Sequence, residues 1–196
     1  MATQELWTID VDRSALRFSL RHKLLGEIGG QFHCWGGQLR IDSANPREAE
    51  VRIWVELSSI DTGSASLDEQ ILRTELFDQR DEPALEFDGE RLEMGASYHF
   101  TLLGWLGLHS FRKEISVAVA DCALETGTSA PPRFVCTARA SVERKALGLR
   151  RQRGLDHWLS EQLLGETIDI AAHIEAEGSA ATAARRLLSA GVGAAA

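Results

Sequence analysis

The chain has 196 residues, of which 44% are hydrophobic, and this is enough to build one globular domain with a sizeable core or one barrel. Its formal net charge is -8, whereas nucleic-acid-binding proteins usually present a basic face, so we predict no nucleic-acid partner. No apolar run in the sequence approaches the roughly 20 residues that a membrane-spanning helix needs.

Alternating hydrophobicity predicts three strands in the first part of the chain. Residues 6–22 alternate between apolar and polar side chains on either side of a turn at Asp10–Ser14. A second strand follows Gly30, and the pair Gly36–Gly37 within it predicts a bulge or tight bend of the kind that curves a barrel. A third strand covers residues 51–57. The positions expected to face inward on these strands are Leu16, Phe18, Leu20, His22, Phe32, Cys34 and Ile53.

A short helix is predicted after the turn at Asp61–Gly63. Ser66 and Glu69 have the spacing of a capping box, in which each side chain satisfies a backbone donor at the helix start. Apolar residues recur four positions apart, as in the pair Leu72 and Leu76, and give the helix an apolar side. Because a helix of about three turns is not stable alone in water, that side is expected to pack against the neighbouring strands.

Five further strands complete the predicted fold. They lie near residues 84–90, 97–106, 113–124, 133–142 and 167–176. Around eight alternating strands with short connections indicate an antiparallel sheet, and closing that sheet removes its exposed edges. The predicted fold is therefore all-β, an antiparallel eight-stranded lipocalin-like barrel with one or two short helices. We place the barrel domain at residues 1–177, a second helix at 154–165 as a lid, partner surface or plug, and a disordered or weakly helical alanine-rich tail at 178–196.

Several segments in this sequence resemble one known family. SSIDTG, DEQILRTELFD and EPALEF follow one another between Leu57 and Phe87, and WTIDVDRSALRFSLRH precedes GQFHCWGGQLRID near the N-terminus. Their order and spacing resemble the YceI-like family of lipid-binding proteins over roughly residues 6–177. The resemblance implies a barrel that binds a polyisoprenoid, a quinone tail or a fatty-acid derivative, and it implies a homodimer. The family's late strand motif is altered here, since Leu147 replaces a phenylalanine and Ala146 an acidic residue.

The residue types that usually carry catalysis or bind metals do not form a motif. The six histidines give no HxH, HExxH or Cys/His spacing, and we find no GxSxG motif, so we predict no metal site, no cofactor and no enzyme activity. Asp61 and His22 could be drawn as an acid–base pair, but nothing supplies a nucleophile beside them. His22 could instead meet the polar end of a ligand, or be a buried histidine satisfied by Asp61 or by backbone.

The cysteines and the first residues bear on location. Cys34, Cys122 and Cys136 are an odd set with no CxxC spacing, and a free cysteine inside a strand behaves as a small apolar residue. The first residues, MATQELWTID, have neither the basic nor the apolar region of a signal peptide. We therefore expect a cytoplasmic protein.

The predicted ligand site is the apolar interior of the barrel. The residues expected to line or close it are Leu16, Phe18, Leu20, His22, Phe32, Ile53, Leu72, Phe77, Phe87 and Phe100. Small inward residues, namely Cys34, Gly104, Cys136, Ala138 and Ala140, are expected to leave room for one chain. Arg144, Arg150 and Arg151 are candidates for an anionic headgroup or for peripheral membrane contact, and the alternative is a solvated loop. Two other hypotheses are a protein-interaction module with a filled barrel and an enzyme acting on a bound lipid.

Overall fold

The computed structural model describes residues 4–24, 26–42, 45, 48–72, 84–95, 99–108, 111–127, 130–144, 164–178, 180–181, 184–186 and 188. Within these residues there are eleven strands: β1 (Gln4–Ile9), β2 (Ala15–His22), β3 (Gly26–Phe32), β4 (Trp35–Asp42), β5 (Glu50–Glu56), β6 (Ile60–Asp61), β7 (Ala84–Met94), β8 (Phe100–Leu108), β9 (Phe111–Glu125), β10 (Arg133–Glu143) and β11 (Leu164–Gly178). A 3₁₀ turn covers Leu57–Ser59, and one helix, α1, covers Ala65–Leu72.

Eight of the strands close into an antiparallel barrel. The ring runs β1, β4, β5, β7, β8, β9, β10 and β11, and β11 returns to β1 where Trp7 lies opposite Gly178. The three remaining strands, β2, β3 and β6, lengthen the wall at one end of the barrel. β2 pairs with β11, β3 pairs with β2, and β6 pairs with β3. The predicted all-β, eight-stranded barrel with few short helices is therefore confirmed.

Strand alternation places the core inside the barrel. On β8 every second residue is buried, from Phe100 to Leu108, while those between them are half-exposed. On β2 the parity of Leu16 and His22 is the buried one, as the sequence pattern predicted. One end of the barrel is filled: Trp7 has no exposed surface and its ring meets that of Phe134 edge-on, with the ring centroids 6.3 Å apart.

The bend between β3 and β4 changes which residues face inward. On β3 the inward residues are even-numbered, as Phe32 is, whereas on β4 Leu39 and Ile41 line the interior. The predicted inward position of Cys34 is wrong, because this residue lies in the two-residue bend, its thiol hydrogen-bonds with the Glu56 side chain, and it is not among the residues around the cavity. The bulge or tight bend predicted at Gly36–Gly37 is also wrong, since both glycines pair in regular register with β5.

The N-cap of helix α1 is Ser64, two residues before the predicted cap, Ser66. The Ser64 carbonyl accepts the first helical hydrogen bond from the Asp68 amide at 2.9 Å, and its hydroxyl accepts one from the Leu67 amide at 3.4 Å. The Asp68 carboxylate accepts from the Thr62 amide at 2.9 Å and from the Thr62 hydroxyl at 2.6 Å. The Ser66/Glu69 capping box is therefore wrong, because Ser66 lies within the first turn. No helix in the described part of the chain is long and apolar enough to span a bilayer.

Several predictions fall wholly or partly outside the described residues. Phe77, Arg150 and Arg151 lie there, as do residues 154–163 of the second predicted helix, while Leu164–Gly165 belong to β11. The alanine-rich tail is described at seven positions, the first of which, Gly178, ends β11. Among these, Ala184 has no exposed surface, and the Arg185 guanidinium donates a hydrogen bond to the Thr126 hydroxyl at 3.1 Å.

Candidate ligand-binding site

The barrel contains an apolar cavity of about 160 Å³. Every strand of the ring contributes to its wall, and β2 and β3 add Leu16 and Phe32. An engineered cavity of about 150 Å³ with Leu, Ile and Phe walls stays dry and binds benzene. The cavity in this barrel therefore offers space that water does not favour and that part of a hydrocarbon chain fits.

Five of the predicted ligand-binding residues lie on the wall of this cavity. They are Leu16, Phe32, Ile53, Phe87 and Phe100. The cross-strand pair Ala138 and Ala172 lies there too, and these two small side chains, directly opposite each other on β10 and β11, leave the space open between larger neighbours. Gly104 is buried on the inward parity of β8, but a Cβ there would lie 2.3 Å from the Asp88 carbonyl oxygen, so close strand approach requires glycine.

The other described candidates lie away from the cavity wall. Phe18 has the inward parity and its ring contacts that of Phe32 at a centroid distance of 5.3 Å, but it borders an outer hollow rather than the cavity. Leu20 is half-buried on β2, and Leu72 is half-buried at the last position of α1. Whether any of these residues contacts a ligand stays a prediction.

His22 is buried at the end of β2, with only 2% of its surface exposed. Its Nδ1 accepts a hydrogen bond from the Leu24 amide at 3.2 Å, which ties the ring into the turn after β2. Its partners in the sheet register are Gly26 and Leu164, and it is not among the residues around the apolar cavity. Of the two interpretations left open by the sequence, these contacts favour the buried histidine satisfied by backbone.

The acid–base pair drawn between Asp61 and His22 is not formed, because Asp61 pairs with His33. The His33 Nε2 lies 2.9 Å from Asp61 Oδ2, and the Gly63 amide donates to Asp61 Oδ1 at 2.8 Å. The hydrogen bond with His33, followed by those with the Gly63 amide and the Gln31 side chain, lowers the pKa of Asp61 below its ordinary value of 3.8. The pair fastens β6 to the bend after β3.

The Asp61 contacts predict a pH-dependent contribution to stability. Because its pKa is lower in the folded state, Asp61 should stabilise the protein above about pH 4 and lose that contribution as the pH falls through the folded pKa. Urea unfolding of the wild type and of Asp61→Asn should give a difference in free energy of unfolding that is full at pH 7 and shrinks at acid pH. A difference that stays constant across this range would contradict the prediction.

Two buried thiols face each other on the cavity wall. Asp121 adopts a positive φ of 53° in a β9 bulge, where its carboxylate accepts a hydrogen bond from the Thr137 hydroxyl at 2.9 Å. The bulge turns Cys122 inward, beside Cys136 of β10. The neighbouring Cys122 thiol, together with burial, raises the pKa of Cys136 well above its usual value, so both sulfurs belong to the apolar lining.

Arg144 was predicted to meet a headgroup, and the structure gives it a different contact. Its Nε donates to the Gly165 carbonyl at 2.7 Å and holds the end of β10 against β11. No three His, Cys, Asp or Glu side chains in the described part of the chain converge as metal ligands would. In the described contacts, neither Asp61 nor His33 forms a hydrogen bond with a side chain that could act as a nucleophile.

Most of the wall residues that were not singled out beforehand follow the same alternation. They include Leu102, Leu106, Ile115, Val117, Val119, Ile170 and Ile174. Their period-two spacing on β8, β9 and β11 was the available signal. Arg139 is the exception, since it is the one charged residue among the described residues of the wall and nothing in the local pattern distinguishes it.

Comparison with known proteins gives the following matches. A family model described as a YceI-like domain matches residues 7–176. The crystal structure of Burkholderia cenocepacia BcnA is similar with a TM-score of 0.70 and 16% identity, covering 85% of this chain and 98% of that one. A Campylobacter jejuni YCEI protein gives 0.65 and 15%, covering 80% and 88%. A polyisoprenoid binding domain from Saccharophagus degradans gives 0.59 and 15%, covering 87% and 97%. At these identities the likeness shows a shared fold, and no curated protein sequence matches.

Proposed function

Because the chain belongs to the YceI-like domain family, we propose that its barrel binds the hydrocarbon chain of an amphiphilic lipid, for sequestration or transport. The observation that carries this proposal is the apolar cavity inside the barrel. One structural neighbour is described as a polyisoprenoid binding domain, which supports a ligand of this class. The ligand is a polyisoprenoid, a quinone tail or a fatty-acid derivative.

Burial of the chain itself supplies the affinity. Each methylene removed from water contributes roughly 0.8 kcal/mol, so a bore lined almost entirely by apolar side chains binds an alkyl or prenyl chain through its length. The opposed alanines at 138 and 172 keep the bore open, and the thiols of Cys122 and Cys136 line it without offering charge. The rest of a long chain lies toward the end of the barrel at which β2, β3 and β6 extend the wall.

A series of prenyl alcohols tests the proposal. Geraniol, farnesol and geranylgeraniol differ in chain length and share one neutral headgroup, so the melting temperature should rise with each added isoprene unit until the bore is full. The protein as purified should also release an apolar lipid on denaturation, detectable by mass spectrometry. If no alcohol moves the melting temperature and the denatured protein releases no lipid, the proposal fails and an interaction module with a filled barrel is favoured.

The remaining expectations from the sequence stay predictions. These are formation of a homodimer, peripheral membrane contact, a cytoplasmic location and the absence of a cofactor. Binding without catalysis is part of the same proposal.

A further inference from the structure

A second hollow, of about 780 Å³, lies against the outer face of the barrel wall. It crosses strands β8 to β11 and continues onto β2 and β3. Its floor is made mainly of small side chains, namely Ser19, Gly29, Thr101, Ser116, Ala118, Ser141 and Ala171. Four charged residues border it: Arg17, Glu27, Arg139 and Asp169.

Two arginines stand on either side of one alanine in this hollow. Ala171 of β11 lies opposite Arg17 on β2 and opposite Arg139 on β10, so the three residues form one row across the sheet. Both arginines are exposed, and neither makes an ion pair with a carboxylate among the residues that the structure describes. Neighbouring strands are about 4.8 Å apart, so two flexible guanidinium groups separated by one strand can converge on a single anion.

The backbone pairing between two strands of the barrel wall ends at this same row. Backbone pairing between β9 and β10 ends where Ala118 lies opposite Arg139, and residues 111–117 and 140–143 of the two strands are not paired with each other. Arg139, Ala140 and Ile170 border both the outer hollow and the inner cavity. The row therefore borders both the charged outer surface and the apolar interior. It lies at the start of the stretch in which β9 and β10 are not paired, which we call the seam.

We infer that Arg17 and Arg139 form a binding site for the anionic headgroup, a carboxylate or a phosphate, of an amphiphile whose chain occupies the barrel. This inference rests on the proposed function, because it assigns the head of the ligand whose tail the cavity holds. A chain passing through the seam beside Arg139 joins the two sites. Since the whole protein carries a net charge of -8, an anion needs a local pair of cations to be held at its surface.

Other carboxylates and cations near the hollow are consistent with this assignment. Asp169 lies two residues from Ala171 along β11, between Ser19 and Ser141, and makes no ion pair with either arginine among the described contacts. Arg144, the other described cation predicted to meet a headgroup, donates its Nε to the Gly165 carbonyl. Among the described residues around the hollow, Arg17 and Arg139 are the two cations.

The test compares farnesol with farnesyl phosphate, which share one chain and differ in headgroup charge. Affinities are measured by calorimetry for the wild type and for the double variant Arg17→Gln/Arg139→Gln. We expect the double variant to bind farnesyl phosphate about 10- to 100-fold more weakly than the wild type does and to lose clearly less affinity for farnesol, and equal losses for the two compounds would contradict the inference. Arg52→Gln is the matched control, because Arg52 is an exposed arginine on the outer face of β5, paired with Asp88 and outside the hollow.

Measuring the affinity for inorganic phosphate distinguishes a site for a lipid headgroup from a site for a free anion. It should bind the wild type far more weakly than farnesyl phosphate does, because it lacks the chain. Equal binding of farnesyl phosphate by the wild type and the double variant would overturn the inference while leaving the proposed function intact. Inorganic phosphate binding as tightly as farnesyl phosphate would also overturn it. Failure of the wild type to bind either farnesyl compound would instead overturn the proposed function.

Discussion

Replacing Ala138 by phenylalanine is expected to weaken binding of a prenyl chain by about 100-fold or more while the barrel remains folded. Ala138 lies on the cavity wall directly opposite Ala172, so a phenyl ring from this position occupies the bore. Excluding three or four methylenes removes about 3 kcal/mol of binding free energy, at roughly 0.8 kcal/mol for each. Overpacking a core costs about 1–3 kcal/mol, which a typical domain tolerates, and here the ring enters existing space.

Ala123→Phe provides the matched control for this variant. Ala123 is on β9, exposed on the outer face, so the same substitution adds the same ring without filling the cavity. Farnesol affinity should be unchanged in this control and lost in Ala138→Phe, with circular dichroism showing a folded barrel in both. If Ala138→Phe stays folded and binds farnesol as the wild type does, the chain does not occupy the bore.

Trp7→Ala is expected to reduce the free energy of unfolding by about 3–5 kcal/mol, the usual cost of truncating a buried tryptophan. Trp7 has no exposed surface, contacts Phe134 and lies opposite Gly178, where β11 meets β1 and the ring of strands closes. Its loss therefore removes core packing at the joint of the barrel. Urea denaturation measures the effect, and a change of less than about 1 kcal/mol, well below this range, would contradict the account of the filled end.

Gly178→Ala examines the same contact from the opposite strand. A Cβ at Gly178 would lie 2.5 Å from the Trp7 ring, so the indole or the strand must shift. Gly107→Ala is the control, because a Cβ there meets its nearest atom at 3.9 Å, an ordinary contact. Gly178→Ala should be clearly less stable than Gly107→Ala. Equal stabilities of the two variants would mean that the indole does not pack against this glycine.

The fold was predictable because the alternation of apolar and polar residues shows directly where a strand lies and which of its faces is buried. The buried parity of β2, from Leu16 to His22, and that of β8 follow from spacing alone. The bend at His33–Cys34 and the bulge at Asp121 were not predictable in the same way. Each changes the parity of the strand that follows, and a shift of one residue leaves the composition unchanged while turning every later side chain to the other face.

The candidate site was predictable only where it depends on one strand at a time. Phe87 and Phe100 were placed correctly on the cavity wall because each follows the alternation of its own strand. The His33 and Asp61 contact joins residues 28 positions apart through the pairing of β3 with β6, which no local pattern reveals. The row of Arg17, Ala171 and Arg139 likewise requires the register of three strands, and outward arginines viewed singly resemble a solvated surface.

The most direct measurement is the crystal structure of the protein with geranylgeraniol. We expect elongated, continuous electron density inside the barrel, running over the adjacent side chains of Ala138 and Ala172 and against Phe87 and Phe100. An interior packed solid with its own side chains, or geranylgeraniol bound only on the outer surface, would contradict it.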